Sequence, residues 1–425
     1  MTKGGDFKKI VRARMARTGE RYAAARAQLA SQPAASACRG GHPESSALVR
    51  VLAAAGITGP DRAPITESLV LGLGGGIGAA WFVFEYKGHP PQFYLATRCQ
   101  PQYAYDPAFI TTAAERLGAA CDVAETTSAT VAANHLRERT ARGPVIAWVD
   151  RAALPWSTRP TETKLDAMPH VVVVDALGDG SATIRDTHAV AFELPVAELA
   201  TARKRLRNAK HRLVSVGPGA SIDPRAAIAA AIAACAAELG GRSKIRGPMA
   251  SNFGIAALRR WLVALTDPKL PKRFSKVFSP PHALAFLAWG RYWIDHAGTG
   301  GGGFRPMYAE FLESAATIAN RPTLRPLAKT YRNLGAEWTA LATAMLPDSI
   351  PGFAAVRHAQ DVQLAAFVRG DVAALRVAEV AGWAAAKAAP KLDAETLRHH
   401  YADLAARLAP ILDAEDAAAR ALAAS

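Results

Sequence analysis

HVVVVDALGDGSATIRD, residues 170–186, is the stretch on which the fold turns. Its two halves are rich in the β-forming residues Val, Ile and Thr, and Gly178-Asp179-Gly180 stands between them as a tight turn. The pattern predicts an antiparallel hairpin with strands at 170–175 and 181–186. His170 opens the first strand and Asp186 ends the second, so the hairpin sets an imidazole beside a carboxylate. A base with an orienting acid is the pair that activates a Cys or Ser nucleophile. In such a fold the nucleophile sits far upstream at the start of a helix, where free N–H groups lower a thiol's pKa and receive a developing oxyanion.

Working outward, VIAWVD (145–150) and VAFEL (190–194) read as further strands, with 80–86, 92–97 and an edge strand at Val214–Val216. Helical patterns occupy 43–55, ending at Gly56, then 107–118, 128–142 and 195–208. From about residue 222 long Ala-rich helical patterns take over, at 223–239, 247–265, 280–297, 305–319, 323–345, 353–388 and 392–424. GTGGGG (298–303) interrupts them. The expected architecture is an α+β domain followed by an all-α helical domain, with the boundary inside GPGASIDP at 216–224. A chain of 425 residues fits two domains plus an extension: 1–37, 38–216 and 222–425.

The formal net charge is +15, and the excess is uneven. Residues 1–37 hold eight Lys and Arg against Asp6 and Glu20, and TARKRLRNAKHR (201–212) is a second basic run. An amphipathic helix at 7–30 with Lys8, Lys9, Arg12, Arg14, Arg17, Arg21 and Arg26 on its polar face suits an acidic partner such as an acyl-carrier protein. It also suits nucleic-acid phosphates, without sequence readout, and the alternative is a solvated face. The Leu and Ala spacing of 353–424 points to self-association into a homo-oligomer or to a bundle edge. Cys38, Cys99, Cys121 and Cys235 show neither a CxxC nor a zinc-finger spacing, as in a reducing compartment. No signal peptide opens the chain and no run approaches the ~20 apolar residues of a membrane helix, so a cytoplasmic location is expected.

The run GHPESSALVRVLAAAGI (41–57) is similar to the segment where cysteine peptidases of the bacteriocin-leader type carry their Cys. Glu67-Ser68-Leu69-Val70-Leu71-Gly72-Leu73-Gly74-Gly75-Gly76 matches the E-x-x-x-x-G-x-G-G-G of the butirosin-biosynthesis H-protein family, and His170 and Asp186 fall on that family's His and Asp. NFGIAALRRWLVAL (252–265) and GGGFRPMYAEFLESAA (301–316) resemble its companion helical domain of unknown function. The resemblance spans about 40–345. It implies a papain-like (cysteine-peptidase-like) first domain and acyl or aminoacyl transfer from a carrier-protein thioester to an amine of a small molecule. His170 is then the proton shuttle and Asp186 its orienter.

The resemblance fails at one position. Where the family has His-Cys, this chain has His42-Pro43, and proline is comfortable in a first helical turn but supplies no nucleophile. Three readings stay open: Ser45 or Ser46 acts instead, Cys38 folds back from the loop before the helix, or the site binds without acyl chemistry. His42, Glu44, Glu67, Gly74, Gly75, Gly76 and Arg98 are the candidate binding residues around it. LGGGIG (73–78) lacks the Lys-Ser/Thr of a phosphate loop, so its glycines read as close backbone packing. His42, Glu44, His170 and Asp186 have the chemistry of metal ligands but no local ligand spacing, and neither a metal nor a cofactor is expected. Cys99 reads as a small buried hydrophobe unless it lines the pocket.

Overall fold

The computed structural model describes residues 42–98, 106–157, 168–187, 190–241, 247–296 and 298–425. The first half is mixed helix and sheet, and the second is helical. Among the described residues eight strands form two sheets: β1 (Ile77–Phe84) pairs antiparallel with β2 (Gln92–Arg98), and the remaining six run in the order β3-β8-β4-β5-β6-β7. Their ranges are β3 Ala119–Ala124, β4 Val145–Asp150, β5 Pro169–Leu177, β6 Ser181–Arg185, β7 Ala191–Pro195 and β8 Leu213–Pro218. Every adjacent pair in the large sheet is antiparallel. The expected hairpin is β5–β6, with a register shift between Val174 and Ala176 and a left-handed Gly180 (φ 89°) in its turn.

The four valines of β5 are continuous because both faces of the sheet are covered. Val171 and Val173 join Ile146, Trp148 and Val214 in one apolar cluster, on the side of helix Pro43–Ala54. Val172 and Val174 join Val145, Ala147 and Val149 in another, with Leu136 of helix Ala129–Thr140 and Leu199 of helix Val196–Arg205. A strand buried on one face alone would need polar residues at every second position.

Several boundaries differ from the sequence expectation. The strand expected at Val214–Val216 runs over Leu213–Pro218 and lies inside the sheet between β3 and β4, not at its edge. The pattern at 353–388 is two helices, Pro351–Arg369 and Val372–Ala388, because Gly370 turns left-handed (φ 69°) and Asp371 caps the second. The pattern at 247–265 begins with a 3₁₀ turn, Gly247–Asn252, before helix Gly254–Thr266. Helix Pro43–Ala54 ends as expected, on Ala55 and a left-handed Gly56.

The two halves share one hydrophobic core that runs from Ala47 to Leu422. The β1–β2 hairpin belongs to it: Trp81 Nε1 donates to Ala257 O (2.6 Å), Trp293 Nε1 donates to Phe93 O (3.0 Å), and the Phe93 ring meets Phe286 edge-on at 4.9 Å. Two glycines of the 72–76 run allow this closeness. A Cβ on Gly72 would lie 2.1 Å from the Phe311 ring, and one on Gly76 (φ 76°) would lie 2.6 Å from Tyr308 and 2.9 Å from Cys235 Sγ. Helix Ala394–Ala424, expected to face a second copy or a bundle edge, spends Leu397, Tyr401, Leu404, Leu408 and Leu422 on this core. Among the described residues no helix is long and apolar enough to cross a membrane.

Candidate functional site

The hairpin delivers its two polar ends to one point. His170 Nε2 donates to Asp186 Oδ1 at 2.7 Å. Thr187 adds its N–H (2.6 Å) and its Oγ1–H (2.9 Å) to the same oxygen, and Trp156 Nε1–H donates to Asp186 Oδ2 at 2.7 Å. Trp156 is itself held by stacking on Phe192, ring centroids 4.1 Å apart. Burial alone would raise the Asp186 carboxyl, but His170 beside it, the Trp156 hydrogen bond and the nearby Arg151 hold it well below the usual carboxylate range. With Nε2 committed to Asp186, the imidazole proton stays on that nitrogen and Nδ1 is the basic atom.

The helix that resembles a nucleophile helix lies against this pair. Pro43 is its first residue and His42 its cap, with His42 Nδ1 accepting from Ser45 N at 3.3 Å. Ser45 Oγ lies 2.8 Å from the same nitrogen, and Ser46 Oγ donates to Thr187 O at 2.9 Å. Ser46 therefore ties the helix to the Asp186-Thr187 corner. His42 Nε2 meets Glu44 at 3.2 Å, Arg98 donates to the same carboxylate, and His42 N–H donates to Glu67 Oε2 at 3.1 Å. Burial lowers the His42 pKa, against the opposing pull of Glu44. Burial would raise Glu44, but Arg98 and His42 bring it below its ordinary value. The His42 ring also meets Phe109 and Phe304 edge-on, at 5.2 and 5.1 Å.

A cavity of about 470 Å³ opens beside the pair, within the size range of small-molecule sites. Pro43, Arg151, His170 and Thr187 line it from the first half, and Asp295, His296, residues 298–301 and Glu310 from the second. Asp150 fixes its rim. Its Oδ1 accepts from Ala152 N and Met168 N, both at 2.9 Å, and its Oδ2 from Arg205 Nε at 2.6 Å, which ties Ala152, Met168 and Arg205 to the end of β4. Arg151 Nη1 donates to Tyr292 OH at 2.6 Å. Gly302 N and Thr339 Oγ1 both donate to Asp295 Oδ1 at 2.9 Å, which shapes the glycine loop.

The structure thus brings His170, Asp186 and Pro43 together and separates the other candidates from them. Ser45 and Ser46 are fully buried and do not line the cavity, because their hydroxyls face His42 and Thr187. His42, Glu44, Glu67 and Arg98 meet one another in a buried network behind the helix start, not on the cavity wall. Gly74, Gly75 and Gly76 also stand off the wall: Gly74 abuts Phe109 and Gly76 abuts Tyr308, and the glycines that line the cavity are 298, 300 and 301. His42 with Glu44 and His170 with Asp186 are two separate pairs. Among the described residues no three His, Cys, Asp or Glu side chains gather as metal ligands would. Cys38, Cys99 and the basic helix at 7–30 lie outside the described residues. Burial pushes the Cys235 thiol up to about 12 and that of Cys121, with Glu115 nearby, to about 11. The 201–212 run is partly consumed within the fold. Arg203 donates to His211 O, Arg205 to Asp150 and Arg212 to Glu125.

Sequence reasoning missed Trp156, Thr187, Arg151 and the 298–301 loop. Thr187 carried a signal, since it directly follows Asp186. The others are joined to the site only by the fold. Residues 197–365 match the model of a domain of unknown function, DUF4872. Residues 42–187 match the model described as butirosin biosynthesis protein H, N-terminal. No curated protein matches the chain. The matched segment begins at the His42 cap and ends at the Thr187 corner, so it encloses the whole helix-to-hairpin constellation, and over that segment the chain is similar to the butirosin biosynthesis protein H N-terminal family, with a match to DUF4872 behind it.

Proposed function

We propose that the cavity is an acyl-transfer site on a papain-like scaffold, passing an acyl or aminoacyl group from a carrier-protein thioester to an amine of a small molecule in butirosin-type specialised metabolism. The observation that carries this reading is His170, held by Asp186, on a cavity wall that also includes the first residue of helix Pro43–Ala54. His170 moves the proton, Asp186 orients it, and Thr187 and Trp156 hold Asp186 in place. The family description of residues 42–187 supplies the metabolic setting. The basic segment 1–37 is the proposed dock for the acidic carrier protein.

Pro43 favours a second reading, a binding or assembly protein that keeps the cavity without the chemistry. Thiol release from the acetyl thioester of N-acetylcysteamine, with glycinamide as the amine, separates the two. Acyl transfer predicts release above the protein-free rate and a loss of about 10²–10⁴-fold in His170→Ala. Asp186→Ala should hurt less completely, because it orients the base without transferring the proton. Release at the protein-free rate, with the thioester still bound in equilibrium dialysis, supports the binding protein instead.

A further inference from the structure

Resting on the acyl-transfer reading, we propose that this site works by direct transfer: the acceptor amine itself attacks the thioester, with His170 as general base and no acyl group ever carried on the protein. Four observations support it. Pro43, the first residue of helix Pro43–Ala54 and part of the wall, has no heteroatom in its side chain. Ser45 and Ser46 next to it are turned inward, onto His42 and Thr187. The two threonine hydroxyls of the described wall are committed as donors, Thr187 Oγ1 to Asp186 (2.9 Å) and Thr299 Oγ1 to Ile294 O (2.7 Å). His170 nonetheless keeps the full apparatus of a base, its Nε2 held by Asp186 and its ring on the wall at 8% exposure. A base maintained at this structural cost, beside a residue with nothing to deprotonate, is matched to a proton that arrives with a substrate.

The step balances without any co-reactant. The amine nitrogen attacks the thioester carbonyl carbon and forms the C–N bond, and His170 Nδ1 takes one amine proton. The C–S bond then breaks with its electron pair on sulfur, and His170 returns the proton to that thiolate, releasing an amide and a free thiol. Holding both reactants together converts the encounter into an effectively unimolecular step, which is where a site without a nucleophile gains its rate. It also requires both to fit at once, and a cavity of about 470 Å³ leaves room for an acyl thioester end beside a small amine. Pro43 has no N–H to offer a developing oxyanion, so that charge falls to the Arg151 guanidinium on the same wall, which Tyr292 holds at 2.6 Å.

The test uses the full chain with acetyl and glycyl thioesters of N-acetylcysteamine as donors and glycinamide as acceptor, varying both concentrations and weighing the quenched protein by intact mass spectrometry. Direct transfer expects intersecting double-reciprocal lines, no added acyl mass during turnover, and a fall of about 100-fold or more in His170→Gln with an unchanged melting temperature. Parallel lines, or an acyl group found on Cys38 or any other side chain and discharged at the rate of turnover, would overturn direct transfer while leaving acyl transfer standing. No turnover above the protein-free rate with either donor would sink both. The two failures are therefore distinguishable.

Discussion

Two buried ion pairs of similar length do different work in this molecule. Arg305 Nε meets Glu415 Oε1 at 2.7 Å with both side chains wholly buried, as His170 meets Asp186 at 2.7 Å. Around the first pair the guanidinium is spent. Arg305 Nη1 donates to Thr97 O and Gly303 O at 2.7 Å, Nη2 donates to Gly78 O at 3.1 Å, and Trp338 Nε1 donates to the Glu415 oxygen at 2.8 Å. That pair buckles helix Ala394–Ala424 to β1, β2 and the glycine loop, and neither side chain lines the cavity beside His170. Around the second pair the carboxylate is saturated, but the imidazole lines a cavity, and only its Nε2 is engaged by Asp186. Burial and pairing are therefore not what mark a site. An unspent valence on a wall is.

The comparison breaks first at Glu415. Glu415→Ala should leave the Arg305 charge buried and uncompensated, costing about 3–5 kcal/mol of stability in urea denaturation, with the His170 wall intact in any molecules that remain folded. A loss under about 1 kcal/mol would mean that water reaches Arg305 and that the sealed pair is not sealed.

Pro43→Cys sharpens the other side. A thiol on the first turn of a 12-residue helix, on the wall that holds His170, should be a better thiolate than a buried cysteine. Alkylation by iodoacetamide at neutral pH should be about tenfold faster than for an average surface cysteine, and far faster than for Cys235, whose thiol sits near 12. The gain should vanish in the P43C/H170A double variant. Labelling of P43C no faster than a surface cysteine would show that His170 does not serve that position.

The smallest effect concerns Asp361, which pairs with Arg291 at 2.7 Å and with the cavity residue His296 at 3.4 Å. Burial alone would raise its carboxyl, but hydrogen bonds from His296 and Arg291 carry it down to about 2 from 3.8. A carboxyl whose folded pKa is depressed stabilises the fold fully above its unfolded pKa and loses that contribution as pH falls through the folded one. The stability gap between wild type and Asp361→Asn should thus be present at pH 5 and close as pH falls from about 3.8 towards 2. Its size should be small, because half of the side chain is exposed to solvent and screened. A gap that stays constant between pH 5 and pH 2 would remove the ion pair from the account of this wall.

The strands, the hairpin and the His170–Asp186 neighbourhood were legible in the sequence because each is local. A valine run, a Gly-Asp-Gly turn and two strand ends lie within 17 residues, and the pairing rules of a hairpin carry the ends together. The departure at Pro43 was legible too, since a missing heteroatom needs no structure to be seen. Less local features were misread. β8 took an inner place in the sheet and not its edge, because both of its edges pair, one with β3 and the other with β4, and such edge pairing between distant strands is not set by chain order. Gly74 and Gly76 give the close backbone packing expected of them, admitting Phe109 and Tyr308 into the core, but as candidate binding residues they are off the wall, and the distant run at 298–301 lines the cavity.

By itself, then, the sequence determined the side chains on offer: an imidazole and a carboxylate at the two ends of one hairpin, a basic extension and a proline at the start of a helix. Only the tertiary structure decided where that chemistry could act. Ser45 and Ser46 lie within one helical turn of Pro43, and only the packing of helix Pro43–Ala54 against β5 turns their hydroxyls onto His42 and Thr187. Arg151, Trp156, His296 and Glu310 are spread over 160 residues, and one core shared by both halves brings them to the site. The physical reason is range. Hydrogen-bond turns and strand periodicity are settled between near neighbours in the chain, whereas a cavity wall is settled by which apolar faces must be buried together.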